Sequence, residues 1–373
     1  MLKPALYLLA VGLWISVSCQ PTPQTASTDQ TSATPAWALL PFTKLDSVNP
    51  ILQPRPELTF TDPILQESVQ WAEKDVYNPA AVVRDGKVYL LFRAENTTDR
   101  FAKTSRIGLA VSDDGIHFQP QAAPVFFPAN DSMKVYEWQG GVEDPRIVES
   151  EDGRYIMTYT AYDGKVARLC LASSRDLQTW EKHGLVLGNG KYRDTWGKSG
   201  AIVCKRVGEQ FIAQRINGKY WMYWGDTDLF MASSDDLIHW QPVENMHGEL
   251  LSVLQPRPGY FDSRLVESGP YALLTDAGIV LIYNSMNAER FQDTALKVGT
   301  YTAGQALFDR NNPVKLLDRT DTYFFKPDKP YEHTGQVNEV VFLEGLVWFK
   351  DQWYLYYGTA DSKIAVAVCG KEL

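Results

Sequence analysis

Three stretches of the chain repeat one pattern: a small residue, then Asp two places on, then an aromatic four further, each after an apolar run. They are Ser112-Asp113-Asp114-Gly115-Ile116-His117-Phe118, Ser174-Arg175-Asp176-Leu177-Gln178-Thr179-Trp180 and Ser234-Asp235-Asp236-Leu237-Ile238-His239-Trp240. The aromatic recurs after 62 and then 60 residues. An Asp in this setting caps its own turn, and the aromatic packs between repeats, so these residues read as structural. Between them lie short runs bounded by Gly, Asp and Asn, such as 87–93, 107–111, 220–224 and 278–283, which read as strands. A fixed period of this size with about four strands per unit predicts an all-β chain, a five-bladed β-propeller. The fourth blade is expected to hold Leu265 to Asn284 and the fifth Val340 to Val368. The one short helix candidate is 64–74.

With 373 residues, 45% of them hydrophobic, the chain can bury a large core. The net charge is -9 and no basic tract interleaves with aromatics, so nucleic acid is not an expected partner. Aromatics reach 12%, which suits many packed strands or a sugar-stacking cleft. The histidines share no ligand spacing and the cysteines no CxxC, so no metal or cofactor is expected.

The N-terminus reads as an export signal: Lys3, an apolar run from Ala5 to Val17 too short to span a membrane, then Ser18-Cys19. A small residue before Cys resembles a bacterial lipoprotein signal, with Cys19 carrying lipid; ordinary cleavage nearby is the alternative. Residues 20–36 are Gln, Pro, Thr, Ser and Ala, a flexible tether. The expected organisation is a signal over 1–19, a tether over 20–36 and a propeller over 37–373, anchored at the periplasmic or outer cell surface by lipid alone. Cys170 reads as a small buried hydrophobe. Cys204 and Cys369 are candidates for a disulfide.

In a propeller the innermost strands line a channel whose mouth is usually the site. One polar group opens each expected inner strand: Asn78-Pro79, Glu143-Asp144-Pro145-Arg146, Lys198-Ser199, Glu267-Ser268 and Asn338-Glu339. By strand alternation, Asp144 and Arg146 share a face while Glu143 points away. A structural Asp144–Arg146 ion pair is the bland reading. Converging carboxylates without a metal motif suit glycoside chemistry, one acid and one base. No Gly-x-Ser-x-Gly element is present, which disfavours a Ser hydrolase.

The series Asn78-Pro79-Ala80-Ala81, Leu91-Phe92-Arg93, Ser105-Arg106-Ile107-Gly108-Leu109-Ala110, Gly141-Val142-Glu143-Asp144-Pro145-Arg146, Thr158-Tyr159-Thr160-Ala161, Gly335 to Phe342 and Tyr357-Gly358-Thr359-Ala360-Asp361 resembles glycoside hydrolase family 130. That family comprises β-mannoside phosphorylases and mannosidases. The resemblance runs from about Asn78 to Ala367. It implies a five-bladed propeller and inversion, with Asp144 as general acid acting through a sugar hydroxyl. It also implies that Asn78, Arg93, Arg106 and Asp361 hold the terminal mannose.

Whether phosphate or water accepts the mannose is open. The phosphorylase branch carries Arg-Pro after the Gly-Lys-Tyr strand; here Gly218 to Tyr223 runs into Trp224-Gly225-Asp226. Glu267 is acidic, and Tyr283-Asn284 stands where Tyr-His is usual. Anions repel a phosphate dianion, so these residues favour a hydrolase with Glu267 or Asp226 activating water, Asp228 being a rival. Inversion needs acid and base about 6.5–9.5 Å apart. Arg146, Lys198 and Tyr283 complete the expected substrate contacts. The main reading is an inverting hydrolase removing mannose from oligosaccharides, with β-1,2 linkage in view. The alternatives are a phosphorylase releasing mannose 1-phosphate and a non-catalytic glycan-binding propeller.

Overall fold

The computed structural model describes residues 35–97 and 103–370, so the expected signal, Cys19 and most of the tether lie outside the described residues. Nearly all regular structure is β. The strands fall into antiparallel groups that follow the chain, and short parallel pairings, Glu149 with Ile212 and Val203–Cys204 with Ala272–Leu273, join three of them into one sheet.

Strand β1 (Thr43–Lys44) comes first, then a small hairpin of β2 (Phe60–Thr61) and β3 (Ser68–Val69). One group runs β4 (Asp75–Arg84), β5 (Lys87–Glu95), β6 (Arg106–Ser112), β7 (Gln119–Pro120), each pairing with the next. After a single helical turn, α1 (Lys134–Glu137), the next runs β8 (Gly141–Glu149), β9 (Tyr155–Tyr162), β10 (Ala167–Ser174), β11 (Glu181–Leu185). In the following group β12 (Ala201–Val207) pairs with both β13 (Gln210–Ala213) and β14 (Tyr220–Trp224), and β15 (Phe230–Ser234) and β16 (Trp240–Pro242) follow. Then β17 (Leu265–Ser268) and β18 (Ala272–Leu274) both pair with β19 (Ile279–Met286), followed by β20 (Tyr301–Asp309) and β21 (Asn312–Arg319). After α2 (Pro330–His333) the last group is β22 (Val341–Phe349), β23 (Gln352–Thr359) and β24 (Lys363–Cys369). Its fourth strand is β1 from the start of the chain, with Thr43 opposite Val368.

The repeated turns sit between the last two strands of the first three groups and do what their residues predict. The hydroxyls of Ser112, Ser174 and Ser234 each accept a backbone N–H three residues on, at 2.9 Å. Asp114, Asp176 and Asp236 each cap the amides two and three residues on, at 2.7–2.9 Å. The closing aromatics stitch neighbouring groups: Phe118 meets Tyr356 of β23 edge-on at 5.7 Å, and Trp180 meets Phe126 at 6.3 Å. Phe211 stacks on Tyr271 at 4.5 Å in the same way. Burying such rings supplies most of the packing energy.

Two expectations fail. Residues 64–74 form turns and β3, because the Asp62 carboxylate takes the amides of Ile64 and Leu65 and closes a turn there. Cys204 and Cys369 are free and buried, as is Cys170. Among the described residues, no helix is long and apolar enough to cross a membrane.

Candidate active site

The first strands of three groups break their pairing at one place each. The register slips between Tyr77 and Pro79, between Glu143 and Arg146, and between Leu343 and Gly345. Asn78 and Asp144 sit there in left-handed backbone, φ 48° and 50°, which Asn and Asp tolerate better than other residues. Pro79 and Pro145 follow them. Proline lacks the amide that a paired strand would need, which suits an inner edge. A bulge re-aims side chains, and here it defeats simple alternation. Glu143 and Asp144 converge on one guanidinium. Arg93 Nη2 lies 2.9 Å from Glu143 Oε1, and Nη1 lies 3.1 Å from Asp144 Oδ1. Two glycines permit this crowding: a Cβ at Gly141 would strike the Ser105 backbone, and one at Gly358 would strike Asn78 Oδ1.

Asp144 is fully enclosed. Its Oδ1 accepts from Asn78 Nδ2 at 3.0 Å, and its Oδ2 is 3.1 Å from Lys198 Nζ. Burial pushes its carboxyl upward, but Lys198, then Arg93 and Asn78, outweigh burial and hold it well below the usual range. Its neighbour Glu143 shifts the other way: burial raises it against Arg93, and the adjacent Asp144 charge adds to the rise. Arg93 is further fixed by Glu95 at 2.8 Å and Ser105 Oγ at 2.9 Å, and Tyr77 OH donates to the same Glu95 at 2.6 Å.

Lys198 faces both Asp144 and Glu267, and their charges, with that of Glu143, keep it protonated despite burial. Ser199 Oγ donates to Glu267 Oε1. Burial pushes Glu267 up to about 7; Lys198 opposes the rise and Asp226 adds to it. Burial likewise raises the partly exposed Asp361 to about 7, against Arg93 and with Asp144. Asn78, Arg93, Asp144, Lys198, Glu267 and Asp361 therefore form one electrostatic cluster, drawn from segments spread along the chain.

Arg146 does not make the expected side-chain pair with Asp144 and is not open to a ligand. Its Nε donates to Gly269 O and its Nη2 to Ser268 O, both at 2.7 Å, while Nη1 donates to Asp144 O at 3.2 Å. The acid beside it is Glu344, 2.9 Å away, which sequence reasoning missed. Burial drives the Glu344 carboxyl well above its ordinary range in spite of Arg146. Its signal was present: an acid followed by Gly in the apolar run 341–349, at the third register slip. Glu339, expected in that place, pairs instead with His333 at 2.9 Å and Lys297 at 2.5 Å.

Two more expected contacts lie in separate networks. Arg106 is buried against Asp62 at 2.7 Å and Asn96 at 3.0 Å. The Tyr283 hydroxyl donates to Asp262 at 2.9 Å and accepts from Arg319 at 3.0 Å, inside packed aromatics. Asn284 cross-links β19 to β22 through both backbone groups of Leu343, at 2.8 and 3.0 Å. Asp226 is partly exposed and accepts the Trp196 indole N–H at 2.5 Å; Asp228 is held by Ser252 at 2.8 Å. Tyr301, also missed, feels the charges of Glu267, Asp361 and Asp226, and its hydroxyl is raised mainly by burial.

A protein-family model described as beta-1,4-mannooligosaccharide phosphorylase matches residues 43–373. A 1,2-beta-oligomannan phosphorylase of Thermoanaerobacter sp. (strain X514) is 32% identical over 306 residues, 80% of this chain and 91% of its own length. A glycosyl hydrolase structure from Bacteroides ovatus is 45% identical with a TM-score of 0.87, covering 90% of this chain and 95% of that one. A structure described by the words "The GH130 family of mannoside phosphorylases contains glycoside hydrolases that target beta-1,2 mannosidic linkages in Candida mannan" is 44% identical. Its TM-score is 0.88, over 90% of this chain and 95% of that one. The chain is an enzyme and a member of glycoside hydrolase family 130.

Proposed function

We propose that this enzyme is an inverting hydrolase that removes the terminal mannose from β-1,2-linked mannosides, built as a five-bladed β-propeller. The ring is supported by five antiparallel groups in chain order and by β1 completing the last of them. The observation that carries hydrolysis is the state of the cations. Arg93 and Lys198 are already on Asp144, and Arg146 is on backbone carbonyls and Glu344. A phosphate dianion would meet Glu267 and Asp226 with no uncommitted partner among those three.

In this reading Glu267 takes a proton from water, and that water attacks C1 of the mannose. Asp144 protonates the glycosidic oxygen through a sugar hydroxyl, and the configuration inverts. Asp144 is held low chiefly through contacts at 3.0–3.1 Å. A neutral hydroxyl inserted among them relaxes that hold, and burial then raises the carboxyl toward the range of an acid. The buried, unpartnered Asn78 Oδ1 and Ser268 Oγ suit a hydroxyl-rich ligand. Incubation with β-1,2-, β-1,3- and β-1,4-mannobiose should release mannose from the first, and D144N should abolish release. Binding with no turnover by the wild type would mark a glycan-binding protein instead.

The second reading, phosphorolysis, is favoured by curated relatives named as phosphorylases, at 24–32% identity. Export as a lipoprotein through Cys19 belongs to the same proposal. C19A should then move the protein from the membrane fraction to the soluble fraction.

A further inference from the structure

The segment 188–196 carries no readable pattern, yet it is pinned on both flanks. On one side Lys191 meets Glu244 at 3.1 Å and Tyr192 OH donates to Gly248 O at 3.1 Å. On the other, Arg193 Nη2 donates to Tyr136 OH at 2.6 Å and Asp194 meets Arg168 at 3.0 Å. The backbone is tied back through Gly197 N to Ala167 O at 3.1 Å. Out of this fixed frame Trp196 stands 49% exposed. Its indole N–H is on Asp226, and Tyr162 meets it edge-on at 6.4 Å. Trp196 is two residues from Lys198, the cation on Asp144, and the charge of Asp226 bears on Glu267. The ring therefore stands at the rim of the cluster, rigidly oriented and open to solvent. An aromatic held this way on one edge and half exposed is suited to stacking against a second ring.

We infer that Trp196 is the platform for the sugar ring next to the terminal mannose, and that Asp226 is a positioning residue that orients the indole rather than the base that activates water. This rests on the reading of the enzyme as mannoside-active. The terminal mannose occupies the enclosed cluster, and the neighbouring pyranose lies outward on the indole.

The test separates the two readings. Titration of β-1,2-mannobiose into D144N and D144N/W196A reports affinity whether or not the wild type cleaves. The indole should contribute about fivefold to tenfold in Kd, with W196F recovering part of it. Methyl β-mannoside, which lacks the second ring, should bind both proteins equally. In the active enzyme D226N should raise KM for mannobiose and leave the plateau kcat in place, while the limb set by Glu267 moves to lower pH because the Asp226 charge no longer raises it. Equal mannobiose affinity with and without Trp196 overturns the platform. Loss of kcat in D226N, with KM unchanged, makes Asp226 catalytic and overturns its positioning role. Failure of the wild type to cleave any mannoside would count against the hydrolase, not against the platform.

Discussion

Arg146 Nη1 lies 2.9 Å from Glu344 Oε1, and both side chains are buried. The same guanidinium binds the carbonyls of Asp144, Ser268 and Gly269. It thus ties the strand bearing Asp144 to the segment that follows Glu267, with the Glu344 carboxyl packed beside it. R146M should leave Glu344 unpaired and cost about 3–5 kcal/mol of stability. R146M/E344L should recover stability in urea titrations, because an apolar pair can replace a buried ion pair. It should still lose on the order of 100-fold in kcat, because the spacing of acid and base is no longer fixed. A double variant with wild-type kcat would show that Arg146 positions nothing.

Glu267 carries a pH prediction. It titrates at about 7 because of burial, and a base must be ionised. The kcat/KM should therefore climb as pH rises to about 7 and level off above it, and E267Q should lose this limb with most of the activity. A limb that falls through the same range would make Glu267 the acid.

Stability should run the other way. The folded value lies above the ordinary 4.5, so the native state holds this proton more tightly than the unfolded chain. Stability is lost as pH rises from 4.5 to about 7. E267Q should match the wild type near the lower limit and exceed it above the upper one by up to ~3 kcal/mol, read by denaturation at each pH.

Arg106 and Tyr283 should behave as structural residues. R106A strands Asp62 in the interior and should cost about 3–5 kcal/mol. Y283F removes a hydroxyl shared by Asp262 and Arg319 and should cost about 1–3 kcal/mol. The folded fraction of each variant should keep the wild-type KM for mannobiose. A tenfold rise in KM at unchanged stability would return the residue to the substrate site.

The repeated Ser-x-Asp turns were legible because their chemistry is local: one hydroxyl and one carboxylate satisfy amides within a few residues. They appear three times rather than five for a topological reason. The group ending in β21 turns at Asp309 with other residues, and the last group takes its fourth strand from the chain start. Asp144, Lys198 and Glu267 were found because each stands in a polar group near the start of an expected inner strand. Glu344 was missed because it stands inside an apolar strand, between Leu343 and Gly345, where a register slip re-aims the side chain. Alternation misassigned Glu143 and Arg146 for the same reason. Arg106 came from the resemblance and Tyr283 from its place before Asn284; both side chains lie in buried networks, with Asp62 and with Asp262 and Arg319.

The most direct test of hydrolysis is the product formed from β-1,2-mannobiose with and without inorganic phosphate. Two equivalents of free mannose per mannobiose, at a rate that does not depend on phosphate, is the predicted result. Turnover that requires phosphate and yields one mannose with one mannose 1-phosphate would contradict it.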